Sequence, residues 1–400
     1  MAHRILVVGA GQAGLTFALL ALRAGHEVTV ATDRSPEQVA AGPPMSTQLQ
    51  WSPSLAVERA HGLDHWQDKA PQVTHLAAAV RGRTPMAWRG ALAAPAQSVD
   101  QRVKFPRLMG EVDEHPRGRL HVGPLGVAAV DALALRLRSD LVVVTAGRGE
   151  LGALFPVRAE HTPHSAPQRQ LALVYLADEV VDTAACAAIP PYGEVFTVPL
   201  WSADGPARGL MIEAYVGGPW DVFRGITDPV ELRARMLGLL RESAPSEHDR
   251  VRSLPLTDPT AGLSGAVVPR VAHPVTTLPS GRLVWGLGDV VARSDPLSGQ
   301  GANSAVHMAA HYVEALGDDL SAPRLTSVFD AYWDRYGHAA AQFGHAITAP
   351  SQPHVRRVMA AAVRHPEAAA MLARSYERPD VAMTWMGSPS RTDELLAGLT

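Results

Sequence analysis

A six-residue glycine pattern, Gly9-Ala10-Gly11-Gln12-Ala13-Gly14, constrains this chain more than any other feature. It follows a short β-branched run at residues 4–8 and opens a helical stretch at 15–24. Gly25 closes that stretch, where a left-handed cap is usual. A second strand-like run, 27–31, comes next, and Asp33 stands 19 residues after Gly14. The spacing predicts a βαβ unit that binds a dinucleotide. Gly9 allows the tight turn, Gly11 lets the backbone approach the pyrophosphate, and Gly14 lets helix and strand pack closely. The helix start presents unpaired N–H groups to the phosphates, and Asp33, followed by Arg34, can accept from a ribose diol. NAD and FAD share this pattern, so it leaves the cofactor open. The uncharged run from Ile5 to Leu22 also resembles a signal peptide or membrane helix in composition. Glycines at turn spacing and the strand that follows favour strand, turn and helix instead.

The rest of the chain predicts an α/β protein of more than one domain, as 400 residues would suggest. Residues 141–145 form a nearly all-apolar strand of the kind buried in a parallel sheet. Residues 74–80 and 86–89 flank Gly82 as a candidate hairpin, and 99–112 read as a helix despite Pro106. From 170 to 216 strand follows strand (171–176, 194–200, 210–215), which predicts an antiparallel sheet, with a helix at 229–242. The tail from Leu325 is Ala-rich and helical by period. The expected division is a discontinuous nucleotide-binding domain (1–72, 96–165, 265–325), an inserted β-sheet domain (73–95, 166–264) and a helical C-terminal region (326–400).

A net charge of −3, with no clustered Lys/Arg face, argues against nucleic acid as a partner. The 17 histidines lack metal-ligand spacing, so no metal is expected. Cys186 is the sole cysteine, which excludes an intrachain disulfide and points to a reducing cytoplasm. No membrane association is expected.

Two later stretches bear on the cofactor. Asp140-Leu-Val-Val-Val-Thr-Ala-Gly147 is a buried strand ending in small residues. Gly286-Leu-Gly-Asp289 is followed by Asp295-Pro296-Leu-Ser-Gly299-Gln300-Gly301-Ala302-Asn303. This pair resembles the flavin hydroxylase superfamily, which implies FAD, with Asp289 on the ribityl chain. A helix opening near Gly301 would aim free N–H groups at the pyrimidine edge of the flavin, where negative charge sits in the reduced form.

Further segments narrow the likeness. Thr32-Asp-Arg-Ser-Pro-Glu37, Ala94-Pro, Val99-Asp-Gln-Arg102, Ala166-Pro-Gln-Arg169 and Gly265-Ala-Val-Val-Pro269 resemble the styrene/indole monooxygenases, in the same order along nearly the whole chain. The resemblance implies a Rossmann-like FAD domain, an inserted β-sheet substrate domain and a helical C-terminal part. It implies the oxygenase component of a two-component system. There a separate NADH-dependent flavin reductase supplies reduced FAD, and O2 is activated as a flavin C4a-hydroperoxide. An aromatic alkene or indole-like substrate would be epoxidised or hydroxylated. A single G-x-G-x-x-G agrees with the absence of a direct NAD(P)H site, and a homodimer is expected.

By family position Met45, Ser46 and Thr47 lie beside the flavin. This chain departs from the family in carrying Pro43-Pro44 where an arginine is common. Arg102 is the expected cation on the pyrophosphate. Phe196, Pro199, Trp201 and Tyr215 are the expected substrate wall, although period-2 spacing puts Phe196 and Pro199 on opposite faces unless the strand bends. Two other functions compete. One is a single-component NAD(P)H-dependent flavin hydroxylase acting on a natural-product intermediate. The other is a non-catalytic binding protein that keeps the flavin fold.

Overall fold

The computed structural model describes every residue except 83, 84, 148, 180 and 400. Two sheets organise it. The first has six strands in the order Val275–Thr277, Leu283–Gly286, Leu141–Val144, Arg4–Val8, Glu27–Thr32 and Gly118–Val122. All neighbours run parallel except the edge strand Val275–Thr277. Leu6, Val7, Val8 and 142–144 are fully buried, as strands covered on both faces must be. Helices Gln12–Arg23 and Gly301–Ala315 pack together with Phe17, Met308 and Tyr312 at the centre of this core.

The second sheet has eight strands: Gly262–Ala266, Arg169–Ala177, Gly205–Tyr215, Gly193–Ser202, Thr183–Ile189, Val73–Val80, Met86–Ser98 and Leu49–Gln50. It departs from the sequence expectation in three ways. Thr183–Ile189 is a strand that Ala-rich composition concealed, because alanine has poor strand preference. It pairs in parallel with Val73–Val80, so the sheet is mixed rather than purely antiparallel. Met86–Ser98 also runs well past Arg89, and the helix begins only at Gln101, with Pro106 inside it.

Each face of this sheet packs against something different. Leu210, Ile212 and Ala214 meet Leu232, Met236 and Leu240 of helix Pro229–Ser243. The opposite face meets the segment 46–47, through Tyr175 and Gly209. Helix Pro366–Glu377 lies across one end of the second sheet so closely that a methyl group at Gly90 would sit 1.9 Å from the Ala369 carbonyl oxygen. No helix is long and apolar enough to cross a membrane, among the described residues.

Candidate active site

Three glycine-bearing segments, far apart in sequence, meet at the ends of the parallel strands. Gly9 adopts φ +113° and donates its N–H to the Ala31 carbonyl at 2.8 Å. A methyl group at Gly14 would lie 2.0 Å from the Gly9 carbonyl oxygen, so only glycine permits this approach of helix to strand. Gly288, at φ +72°, brings Gly288-Asp289 against the same turn, since a methyl group there would lie 2.7 Å from Ala13 Cβ. One at Gly147 would lie 3.1 Å from Asp289. Asp33 is exposed at the end of its strand, 3.9 Å from Arg34 Nε, and Asp289 is exposed at the mouth of the turn.

This cradle fits FAD. Helix Gln12–Arg23 starts at Gly11 with no side-chain cap, and nothing lies within 4 Å of a methyl group placed there. Helix Gly301–Ala315 likewise has no side-chain cap and open space at Gly301. Two uncapped helix starts with room before them can receive a pyrophosphate and an electron-rich ring edge. Gln48 adds a buried carbonyl oxygen, Oε1, with no protein partner. Ala10, Gln12, Ala13 and Ala302 belong to these two helix starts.

Side chains expected on the cofactor are in several cases spoken for by the protein. Gln300 donates Nε2 to the Ser298 and Tyr376 carbonyls (3.1 and 2.8 Å) and accepts from the Tyr336 hydroxyl at 2.9 Å. Asn303 accepts from the Trp51 N–H at 2.8 Å and donates to the Leu49 and Gly299 carbonyls (3.0 and 2.7 Å). These amides lock the turn 295–303, leaving backbone N–H groups rather than side chains for a ligand. Gly299 at φ +61° packs on the Trp51 ring, and the N–H of Leu297, next to Pro296, donates to Asp295 Oδ1 at 3.0 Å.

Arg102 requires a correction. Its guanidinium is buried and bonds Asp100 (2.9 Å), both oxygens of Asp258 (3.1 and 3.0 Å) and Thr260 (3.0 Å), with Tyr175 beneath it. With its donors committed to two carboxylates, it has none for a pyrophosphate. Burial alone would raise Asp258, but the hydrogen bonds from Arg102 and Thr260 outweigh it and hold its carboxyl at about 2.

The segment at Ser46 is pinned from the second sheet. Tyr175 donates its hydroxyl to the Ser46 carbonyl at 2.5 Å, Ser98 donates to the Thr47 carbonyl, and the Thr47 methyl packs over Gly209. Ser46 Oγ accepts from the Gln48 N–H at 3.1 Å, so its own proton is available to a ligand. Met45 accepts at its sulfur from Arg34 Nη2 at 3.4 Å. Sequence reasoning missed what lies beneath. Lys104 Nζ bonds Glu58 (2.7 and 2.9 Å) and Gln50 (2.6 Å), with Lys104 and Glu58 each only 2% exposed. Glu58 also accepts from Gln12 at 2.7 Å, and Gln12 accepts from Gln48. A buried ion pair thus ties the glycine turn to the Ser46 segment. One signal was present: only Lys69 and Lys104 are lysines among 36 basic residues.

On the second sheet, the pairings Phe196↔Met211↔Leu173↔Leu263 place these four side chains in one row, on the face that carries Tyr175 and Gly209 against the Ser46–Thr47 segment. Pro199 is corrected: the strand keeps its register from Gly193 to Ser202, so Pro199 stays on the opposite face from Phe196. Trp201 packs with Trp66 and Val99 instead. Tyr215 does face inward, but its hydroxyl bonds Glu194 at 3.0 Å and its ring lies under Arg169. Phe196 and Leu171, on inner strands, and Leu263, on the edge strand, are each only half-buried.

Comparisons with known proteins agree with this arrangement. Residues 147–250 match the family described as "Styrene monooxygenase A putative substrate binding domain", a span that contains the inner strands of the second sheet. Styrene monooxygenase StyA of Pseudomonas fluorescens is 30% identical over 339 residues, 82% of this chain and 79% of the relative. Among solved structures, p-nitrophenol 4-monooxygenase PnpA of Pseudomonas putida DLL-E4 superposes with TM-score 0.59 at 15% identity, covering 98% of each chain. PqsL of P. aeruginosa, in complex with 2-aminobenzoylacetate, gives 0.61 at 14% identity, covering 87% of this chain and 96% of that one. These structures share the Rossmann-like flavoprotein fold. The glycine cradle, the paired helix starts and the relationship to StyA together make this chain an FAD-dependent monooxygenase that belongs to the styrene monooxygenase family.

Proposed function

We propose that the protein is an oxygenase component that receives reduced FAD from a separate reductase and inserts oxygen into an aromatic alkene or indole-like substrate. The observation that carries this reading is the shared inner face of the second sheet, where half-buried Leu171, Phe196 and Leu263 lie on the side from which Tyr175 reaches the Ser46 carbonyl and the Thr47 methyl packs over Gly209. In this reading the six-stranded sheet carries the cofactor and the eight-stranded sheet the substrate. Bound reduced FAD would supply the activation of O2. The chain's own residues do the rest. Gly11 and the start of helix Gln12–Arg23 hold the pyrophosphate, Asp33 the ribose and Asp289 the ribityl chain. The first N–H groups of helix Gly301–Ala315 stabilise negative charge on the ring edge. Ser46 donates its free hydroxyl proton beside the ring, while Phe196, Leu171 and Leu263 orient the arene and keep water out. No general-base dyad is required for this chemistry.

Electron supply tests the reading. Purified protein, FAD and NADH should give almost no flavin reduction, and a generic FAD reductase should start turnover of alkenes, indoles or sulfides. Rapid direct reduction by NADH or NADPH would move the protein to the single-component class.

A further inference from the structure

Behind the 295–303 turn lies a buried cluster that the proposed reaction does not use. Arg169, Glu194, Glu213 and Tyr215 come from the second sheet, and Asp295 from the turn itself. One guanidinium therefore faces three carboxyl groups. Arg169 gives Nε and Nη2 to the two oxygens of Glu194, 2.9 Å each, and the Tyr215 hydroxyl adds a bond to Glu194 at 3.0 Å. Glu194 is thus the ionised partner of that cation. Asp295 is served by the Leu297 N–H at 3.0 Å, the bond that caps the turn. Glu213 has neither. It is 0% exposed, its closest cation is Arg169 Nε at 3.8 Å, and neither of its carboxyl oxygens has a hydrogen-bond partner. A charge left so bare in a dry interior is far costlier than a neutral acid, and two carboxyl groups beside one spent cation do not both ionise.

We propose that Glu213 carries a proton at neutral pH and acts as a positioning residue for the 295–303 turn. Its neutrality leaves Asp295 ionised over the Leu297 N–H, which fixes the start of helix Gly301–Ala315 where the flavin edge is held. Burial pushes Glu213 well above the usual carboxylate range, Asp295 and Glu194 add to this, and Arg169 opposes it. Burial raises Asp295 too, against the pull of Arg169 and the Leu297 N–H. The remaining groups facing the cluster are the Cys186 thiol and the Tyr215 and Tyr376 hydroxyls, all pushed up by burial and so neutral, and His164 near Asp295. The inference concerns a proton within the protein and holds whatever the substrate and the source of reduced FAD.

Infrared difference spectroscopy of the full chain, parent minus Glu213→Gln, tests it in the absence and in the presence of FAD. The parent should show a protonated-carboxyl band at neutral pH that is absent from the variant, since burial holds the carboxyl above the usual carboxylate range. Oxidised FAD titrations supply a second readout. Glu213→Gln, fixed in the neutral state, should bind within about twofold of the parent at pH 7 and keep that affinity at higher pH, where the parent weakens. Should Glu213→Gln fold poorly, Glu213→Met offers a neutral side chain of similar size, and the band in the parent is read regardless. Absence of the band, or a tenfold loss of FAD affinity in the neutral variant at pH 7, would show that an ionised Glu213 is required and overturn the proposal.

Discussion

The two sheets that face each other across the site are built on opposite terms. In the proposed function the parallel sheet would meet its ligand with backbone: glycines at 9, 11, 14, 288 and 299, and two helix starts without side-chain caps. The second sheet, in the same proposed function, would meet its ligand with side chains, Phe196, Leu171 and Leu263, whose placement depends on register. Their buried ion pairs differ in the same sense. Lys104–Glu58, under the parallel half, is closed by Gln12 and Gln50, whereas Arg169–Glu194 leaves Glu213 without a partner. The cofactor half is a finished scaffold, and the sheet half keeps a group whose charge can change.

Breaking the closed pair should have the largest effect. Lys104→Met strands the Glu58 carboxylate in the core and should cost about 3–5 kcal/mol, read as a lower urea midpoint. It should also weaken FAD binding, because Gln12 and Gln48 lose their anchor. A matched change on the other side is expected to be milder for the fold and harsher for the substrate. Phe196→Ala should raise KM for an aromatic substrate severalfold while FAD affinity stays level, whereas Pro199→Ala, on the far face, should leave KM unchanged. Equal effects of these two on KM would remove the inward row from the substrate site.

What the sequence revealed follows the same divide. Backbone recognition needs glycine at fixed spacing, so Gly9–Gly14 could be read as a candidate cofactor site from the sequence alone, and Asp289–Asn303 through its resemblance to the flavin hydroxylases. Side-chain recognition depends on pairing between strands distant in sequence. Period-2 spacing alone left Phe196 and Pro199 on one face only if the strand bent, and the unbroken Gly193–Ser202 register keeps Pro199 and Trp201 on the face opposite Phe196. Arg102 was misread for a related reason: nothing near it in sequence shows Asp258, which takes up its guanidinium across 156 positions. Thr183–Ile189 was hidden by its alanines, and Lys104–Glu58 by having no local pattern.

Smaller effects sharpen the comparison. Ser46→Ala should leave FAD affinity intact and shift turnover from oxygenated product to hydrogen peroxide. One lost hydrogen bond of about 0.5–1.5 kcal/mol corresponds to roughly two- to tenfold. Product and peroxide measured together in single turnovers decide it, and unchanged coupling would make Ser46 a plain loop residue. His307, packed on Tyr336, is lowered to about 4 by burial, with Arg335 adding to the shift. The unfolded chain takes up that proton near 6.5, so His307 favours the fold above that pH. The contribution should fade as pH falls toward 4, and His307→Gln should flatten the melting curve over this window.

The central claim is that the glycine cradle, through its backbone, holds FAD. Equilibrium titration of the parent and Gly11→Val with FAD tests it most directly. A valine side chain would fill the open space before helix Gln12–Arg23 without meeting any protein atom at its Cβ, so the fold should survive. The parent should bind, and the variant should lose at least about tenfold, or ~1.4 kcal/mol, with an unchanged melting temperature without FAD. Equal affinity in the two proteins would contradict the account.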